Sequence, residues 1–312
     1  MRVLVTGANG FVGGALCKGL LCHALAVRGV TRSAGVLPLG VEGFVVADMD
    51  GTANWHGTLQ DCNAVVHLAA RVHVMQEASA DPLAEFRRVN VDGTLNLARQ
   101  AAAAGVRRFV FISSIGVNGS VSFQRPFTAD DEAAPHSPYA VSKYEAELGL
   151  RVLAAETGLE VVIIRPPLVY GLGAPGNFGA LMHAVQRGWP LPLGAIHNKR
   201  SLVALDNLVD FIALCVHHPN AANQTFLVSD GEDVSTAELV RRMARAMGKT
   251  PRLIPVPRWL LRWGAVLLGR RDVVQRLCGN LQLDISKARK MLGWKPPCSV
   301  DEGLRQAVSG LS

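Results

Sequence analysis

Tyr139 and Lys143 stand four residues apart in the run Ser137-Pro138-Tyr139-Ala140-Val141-Ser142-Lys143. On a helix that spacing puts both side chains on one face. An ammonium beside a phenol favours the phenolate and draws a tyrosine from about 10 toward neutrality. Tyr139 is therefore a candidate general acid or base. Ser114, just past the apolar run that ends at Ile112, is placed to hydrogen-bond a reacting oxygen. A Tyr-x-x-x-Lys pair alone is common and mostly carries no chemistry; this one gains weight from what stands near residue 6.

There the chain reads Thr6-Gly7-Ala8-Asn9-Gly10-Phe11-Val12-Gly13, directly after a first apolar run and at the opening of a helical pattern. Gly7 permits a tight turn, Gly10 lets backbone N–H groups approach a pyrophosphate, and Gly13 lets the helix pack close to the strand. The helix N-terminus then faces the anion. Gly7, Asn9, Gly10, Phe11 and Val12 are the candidate cradle. Sites for NAD usually place an Asp or Glu at the end of the second strand, on the ribose 2′-OH. No acidic residue precedes Glu42, and Val30, Thr31, Arg32 and Ser33 occupy the expected place. Thr31 and Arg32, with Arg28 as a second cation, suit a 2′-phosphate. The expected cofactor is NADP(H), with NAD(H) as the other possibility.

These groups need elements to hold them. Strand-like runs at Arg2–Val5, Leu25–Val30, Phe44–Ala47, Ala64–Leu68, Arg108–Ile112 and Val161–Ile164 alternate with helical patterns at Gly13–Cys22, Leu83–Ala104 and Tyr139–Glu156. That alternation predicts right-handed βαβ crossovers and an α/β, doubly wound parallel sheet of Rossmann type. After Arg165 the strands grow sparse and short amphipathic helices appear, such as Thr236–Met247 and Trp259–Leu268. The expected division is a dinucleotide-binding domain over 1–170 and a smaller α/β substrate region over 171–312, interleaved with the first.

Composition sets outer bounds. Of the 312 residues, 49% are hydrophobic and 18% charged, which excludes a disordered or low-complexity protein. The longest uncharged run, between Arg165 and Arg187, is broken by Pro166, Pro167, Pro175 and several glycines, so no membrane span is expected. Thr6, Asn9 and the glycines interrupt what would otherwise mimic a signal peptide, and the expected location is the cytoplasm. The six cysteines show no Cys-x-x-Cys and no metal spacing, so idle thiols and no metal are expected. The net charge of +7 suits a polyanionic partner. No aromatic-interleaved basic stripe appears, which disfavours nucleic acid.

With these residues in hand the chain resembles the extended short-chain dehydrogenase/reductases, the NAD-dependent epimerase/dehydratase group. The landmarks are Thr6–Gly13, His67-Leu68-Ala69-Ala70, Asn90-Val91-Asp92-Gly93-Thr94, Ser113-Ser114, Tyr139–Lys143, Arg165-Pro166-Pro167-Leu168-Val169-Tyr170-Gly171, Arg200–Val203 and Asp284–Ala288. They span nearly the whole chain in order. The resemblance implies Ser114, Tyr139 and Lys143 as the catalytic trio, with Lys143 also holding the nicotinamide ribose. It implies Leu68, Ala69 and Ala70 along the ribose and phosphate path, Asp48 and Met49 beside the adenine, and Pro166 at the nicotinamide. Asn177 and Arg200 would meet the diphosphate of a UDP-sugar, with Leu193 and Arg271 also on the substrate side. His67 and Asn90 are expected to be structural. A homodimer through Leu83–Ala104 and Tyr139–Glu156 is implied too.

Three chemistries share such a trio. Dehydratases of the group carry Asp-Glu directly after the catalytic Ser or Thr; here Ile115 and Gly116 stand there, which disfavours dehydration. The stretches Val66–Met75 and Phe86–Leu97 look like bacterial C4-reductases of UDP-4-keto-6-deoxy-N-acetylhexosamine, which make quinovosamine or fucosamine donors for surface polysaccharide such as O-antigen. The expected reaction is that NAD(P)H-dependent reduction. The alternative is a UDP-sugar 4-epimerase with tightly bound NAD. A non-catalytic NADP(H) sensor is the remote one, since sensors usually lack the tyrosine or lysine.

Overall fold

The computed structural model describes residues 1–72, 81–257, 259–261, 263 and 277–310. Arg271 lies outside them. The strands are β1 (Arg2–Thr6), β2 (Ala26–Thr31), β3 (Val41–Val45), β4 (Ala64–His67), β5 (Arg108–Ile112), β6 (Glu160–Arg165), β7 (Leu168–Tyr170), β8 (Arg200–Ala204), β9 (Thr225–Leu227) and β10 (Asp233–Val234). Seven form one parallel sheet in the order β3-β2-β1-β4-β5-β6-β9, and β10-β8-β7 form a small mixed sheet. The chain order reverses at β1, so the crevice for a dinucleotide opens at the C-terminal ends of β1 and β4.

The helices are α1 (Phe11–Cys22), α2 (His56–Leu59), α3 (Pro82–Arg87), α4 (Thr94–Ala103), α5 (Pro138–Thr157), α6 (Gly176–Gln186), α7 (Leu205–His217), α8 (Thr236–Ala246), α9 (Ser286–Leu292) and α10 (Val300–Val308). Alternation along the strands divides the core. Val3, Val5, Val66, Val110 and Val162 meet Leu16, Leu20, Phe211 and Trp294 from α1, α7 and the segment after α9. Leu4, Val65, Phe109, Phe111 and Ile163 meet Leu97, Ala98, Ala146 and Leu150 from α4 and α5. Both faces are covered, which is why these strands are nearly continuous apolar runs. A third cluster, with Tyr170, Phe178, Leu202, Val240 and Leu304, packs α6, α8 and α10 on the small sheet.

Two expectations shift here. The third strand occupies Val41–Val45 rather than Phe44–Ala47, because its register is set by β2, from Val27 opposite Val41 to Thr31 opposite Val45. The expected helix Leu83–Ala104 is not continuous. It is α3, a π-helical turn over Arg88–Gly93, then α4. A π turn holds an extra residue and swings one side chain off the regular helical face. That residue set includes Asn90 and Gly93. A Cβ on Gly93 would lie 2.2 Å from the Met49 carbonyl oxygen, so the turn sits directly on the backbone after β3.

Candidate active site

Helix α5 starts where chemistry needs it to start. Pro138 occupies its first turn, and the Ser137 hydroxyl accepts from Ala140 N at 3.2 Å. This cap fixes Tyr139 in the first turn and Lys143 one turn deeper. Lys143 is 1% exposed. Its ammonium donates to the Ile112 carbonyl at 2.8 Å and lies 4.4 Å from the centroid of the Phe111 ring. Burial pushes its pKa down to about 7, opposed by the nearby Glu147 charge.

Ser114 follows the end of β5, two residues beyond that carbonyl. Ser113 N donates to Ile164 O at 2.8 Å and Ile115 N to Pro166 O at 3.0 Å, so the ends of β5 and β6 are tied and Ser114 is neighbour to Pro166. The Ser114 Oγ accepts from Gly116 N at 3.1 Å, which leaves its own proton to be donated outward. Tyr139 packs its ring edge-on against Phe86, with centroids 6.1 Å apart. Its pKa departs from the expected direction. Burial pushes the phenol up to about 12, and the Lys143 ammonium, directed at Ile112 and Phe111, does not offset it.

The glycine loop fits the cradle role. Gly7 has φ +67°, a left-handed conformation that disfavours other residues. A Cβ on Gly13 would lie 2.0 Å from the Gly7 carbonyl oxygen. Helix α1 opens after Gly10 with no acidic residue in its first turn, so its unpaired N–H groups are free of a side-chain anion. Thr6 joins this loop to the next strand: its hydroxyl accepts from Leu68 N and Ala69 N, each at 3.1 Å.

With two N–H donors on its oxygen, Thr6 gives its own proton to His67 Nδ1, 2.8 Å away. His67 Nε2 lies 3.0 Å from the Thr94 hydroxyl, and that hydroxyl donates to Asn90 O at 2.7 Å. The chain of donors assigns a neutral imidazole protonated on Nε2. Burial agrees, pushing its pKa down to about 3. Asn90 Nδ2 donates to Arg71 O and to Ser142 Oγ, both at 3.0 Å, while its Oδ1 accepts from Arg71 N at 2.8 Å. His67 and Asn90 therefore hold together the loop after β4, the π turn and α5.

The other expected contacts are distributed as follows. Leu68, Ala69 and Ala70 follow β4 at the same sheet edge as Gly7; Asp48 is exposed and Met49 buried after β3. Thr31 is buried and donates to Ser33 O at 2.8 Å, with exposed Arg32 between them. Arg28 is a correction. It is 5% exposed, bonded to both Glu42 carboxylate oxygens and to the carbonyls of Thr58 and Gln60, so it cannot serve a 2′-phosphate. Asn177 is exposed in the first turn of α6, Leu193 packs in the third apolar cluster, and Arg200 opens β8 with a 3.4 Å bond to Gly279 O. Among the described residues no group of His, Cys, Asp and Glu could hold a metal ion.

A buried ion network behind the trio is absent from the expectations. Glu147, one turn beyond Lys143, is fully buried. It accepts from Ser113 Oγ at 2.6 Å, and from Arg165 at 2.9 Å on one oxygen and 2.5 Å on the other. Arg165 also donates to Asn118 Oδ1 at 2.9 Å. The available signal was Glu147 itself, a charge on the same helical face as Tyr139 and Lys143.

Residues 3–229 match the NAD dependent epimerase/dehydratase family. The chain belongs to that family. Within this epimerase/dehydratase family it is 48% identical, over 98% of its length and 94% of the relative's, to a UDP-glucose 4-epimerase of Vibrio cholerae. Among solved structures, the UDP-glucose 4-epimerase of Thermotoga maritima with UDP-glucose superposes with a TM-score of 0.80 at 25% identity, covering 100% of this chain and 98% of that one. The Thermus thermophilus UDP-glucose 4-epimerase complex with NAD gives 0.77 at 26% identity, covering 99% and 98%. No helix among the described residues is long and apolar enough to cross a membrane.

Proposed function

We propose that this protein is a UDP-hexose 4-epimerase that keeps a nicotinamide dinucleotide along the loop of Gly7, Asn9, Gly10, Phe11 and Val12. The observation that carries the reading is the 48% identity with the Vibrio cholerae 4-epimerase across nearly all of both chains. The residues fit the cofactor: a cradle that side chains at Gly7 or Gly13 would disrupt, above a helix N-terminus without an acidic side chain. Leu68, Ala69 and Ala70 would flank its phosphates and ribose, Asp48 and Met49 its adenine, Pro166 its nicotinamide, and Lys143 the adjacent ribose. Bound there, the nicotinamide supplies a reversible hydride acceptor for sugar C4.

The chain's own groups handle the proton and the position. Tyr139 Oη takes the proton of the C4 hydroxyl and returns it. Ser114, its oxygen occupied by Gly116 N, donates its hydroxyl proton to the same C4 oxygen. While Lys143 donates to the Ile112 carbonyl, burial keeps the phenol protonated; the base forms when the charged amine turns from that carbonyl toward Tyr139, where it favours the phenolate. Asn177 and Arg200 would meet the UDP diphosphate, with Leu193 and Arg271 completing the substrate side. A homodimer through α5 is part of the proposal, supported by its exposed Leu148 and Val152.

The second reading is the C4-reductase of UDP-4-keto-6-deoxy-N-acetylhexosamines, using NADP(H). Exposed Arg32 at the end of β2, where an acid would select NAD, favours it. Nuclear magnetic resonance of UDP-glucose and UDP-N-acetylglucosamine incubated with the enzyme, without added reduced cofactor, separates the two. Galacto products support the epimerase. Their absence, together with stoichiometric NADPH loss on UDP-4-keto-6-deoxy-N-acetylglucosamine, would replace it with the reductase.

A further inference from the structure

Between Glu160 and Asp206, and again between Glu238 and Asp272, the sequence carries no acidic residue. The fold lays the two stretches side by side. Leu191 N donates to Arg252 O and Ile254 N to Leu191 O, both at 2.8 Å, and Gly194 N donates to Ile254 O at 3.0 Å. The Lys249 ammonium reaches the Gln186 carbonyl at the end of α6. Arg187, Arg245, Lys249 and Arg252 are all exposed on this surface. The neighbouring Arg241 and Arg242 are already matched, by Glu238 and by Glu232 with Glu238.

Large exposed apolar side chains stand in the same two stretches, and the Arg187 guanidinium lies 5.5 Å from the centroid of the Trp189 ring. Trp189 is 52% exposed, Trp259 63% and Trp263 67%, with Ile254 and Leu260 near half. The chain's other tryptophans, Trp55 and Trp294, are buried. The helical turn that carries Trp259 and Trp263 is oriented by the core. Leu261 packs into the third cluster, and Leu260 N and Leu261 N both donate to Pro257 O. Trp259 and Trp263, four apart, share the outward side.

Three exposed indoles cost solvation unless something covers them, and the surrounding charge selects the cover. A second copy of the same face would bring cation against cation. A nucleic acid duplex would satisfy the cations but give Ile254, Leu260 and the indoles nothing to bury in. An anionic bilayer answers both: indoles settle at the headgroup level, and unmatched Lys and Arg seek anionic lipid. We propose that the surface of these two stretches, with Trp189, Trp259 and Trp263 as its indoles and Arg187, Lys249 and Arg252 as its cations, docks the protein peripherally on anionic lipid membranes.

The test is sedimentation of the full chain with vesicles of phosphatidylcholine, with and without phosphatidylglycerol. Pelleting with the anionic vesicles only, weakened by salt, is expected. Tryptophan emission should shift to the blue and be quenched by brominated acyl chains. Trp259→Ala with Trp263→Ala should weaken partition by at least about tenfold, with circular dichroism and dinucleotide binding unchanged. No pelleting with anionic vesicles at low salt would overturn the proposal, as would pelleting that the tryptophan variant leaves intact. Duplex DNA bound more tightly than vesicles would reassign the cations to a nucleic acid. Concentration-dependent dimers lost in the tryptophan variant, without vesicle binding, would reassign the face to self-association.

Discussion

Tyr139 shows how far a sequence pattern can misjudge a titration. The four-residue spacing from Lys143 is real, and both lie at the start of α5, yet burial pushes the phenol up to about 12 and the amine down to about 7. Spacing reports a shared face; it does not report that the amine is spent on a carbonyl and an aromatic ring. Tyr139→Phe removes the phenol one helical turn before Lys143. It should cut turnover by about 10²–10⁴-fold while leaving dinucleotide affinity largely intact; comparing initial rates with calorimetric binding checks this, and undiminished turnover contradicts it. His67 carries a second prediction. Its folded pKa of about 3 lies below the ordinary 6.5, so between those values the unfolded chain binds a proton that the folded chain refuses. Stability therefore falls as pH drops through that window, by about 1.4 kcal/mol per pH unit at most. Urea unfolding of His67→Gln should show a flatter decline over the same window, by about that slope; matching slopes would contradict a buried neutral imidazole. Lys143 acts in the same direction at higher pH, with stability rising between its folded value of about 7 and its ordinary 10.5.

At the scale of elements, the strands were the most legible part, because burial on both faces demands runs such as Arg108–Ile112 and Val161–Ile164 that little else produces. Helix interiors were less so. Nothing in the periodicity of Leu83–Ala104 announces the π turn, whose causes are distant: Asn90 reaching Arg71 and Ser142, and Gly93 against Met49. Arg28 was misread for a similar reason, since a lone arginine in a strand does not reveal that Glu42 and two carbonyls await it. Glu147 was missed although its helical position was plain, because its partners Ser113, just past β5, and Arg165, the last residue of β6, lie far from it in sequence. That network ties β5, α5 and β6 together directly behind Ser114. Glu147→Leu alone strands the Arg165 charge in the core and should cost about 3–5 kcal/mol. Glu147→Leu combined with Arg165→Met should recover a clear part of that loss. Denaturant midpoints of the three proteins test it, and a double variant no better than the single would show that the pair is not coupled.

The whole molecule is built on a parallel sheet whose C-terminal edge gathers the glycine loop after β1, Ala69 after β4, Ser114 after β5 and Pro166 after β6, with α5 bringing Tyr139 and Lys143 to the same edge. Membership of the NAD dependent epimerase/dehydratase family and near full-length similarity to 4-epimerases agree with that arrangement. An epimerase must return to C4 the same hydrogen it removed, because its dinucleotide stays bound; a reductase takes that hydrogen from outside. UDP-glucose carrying deuterium at C4 is therefore the decisive substrate. Incubated with the enzyme and no added reduced cofactor, it should give UDP-galactose with the deuterium still at C4. A failure to form product, or product that has lost the deuterium from C4, would contradict the proposal that this trio epimerises a UDP-hexose.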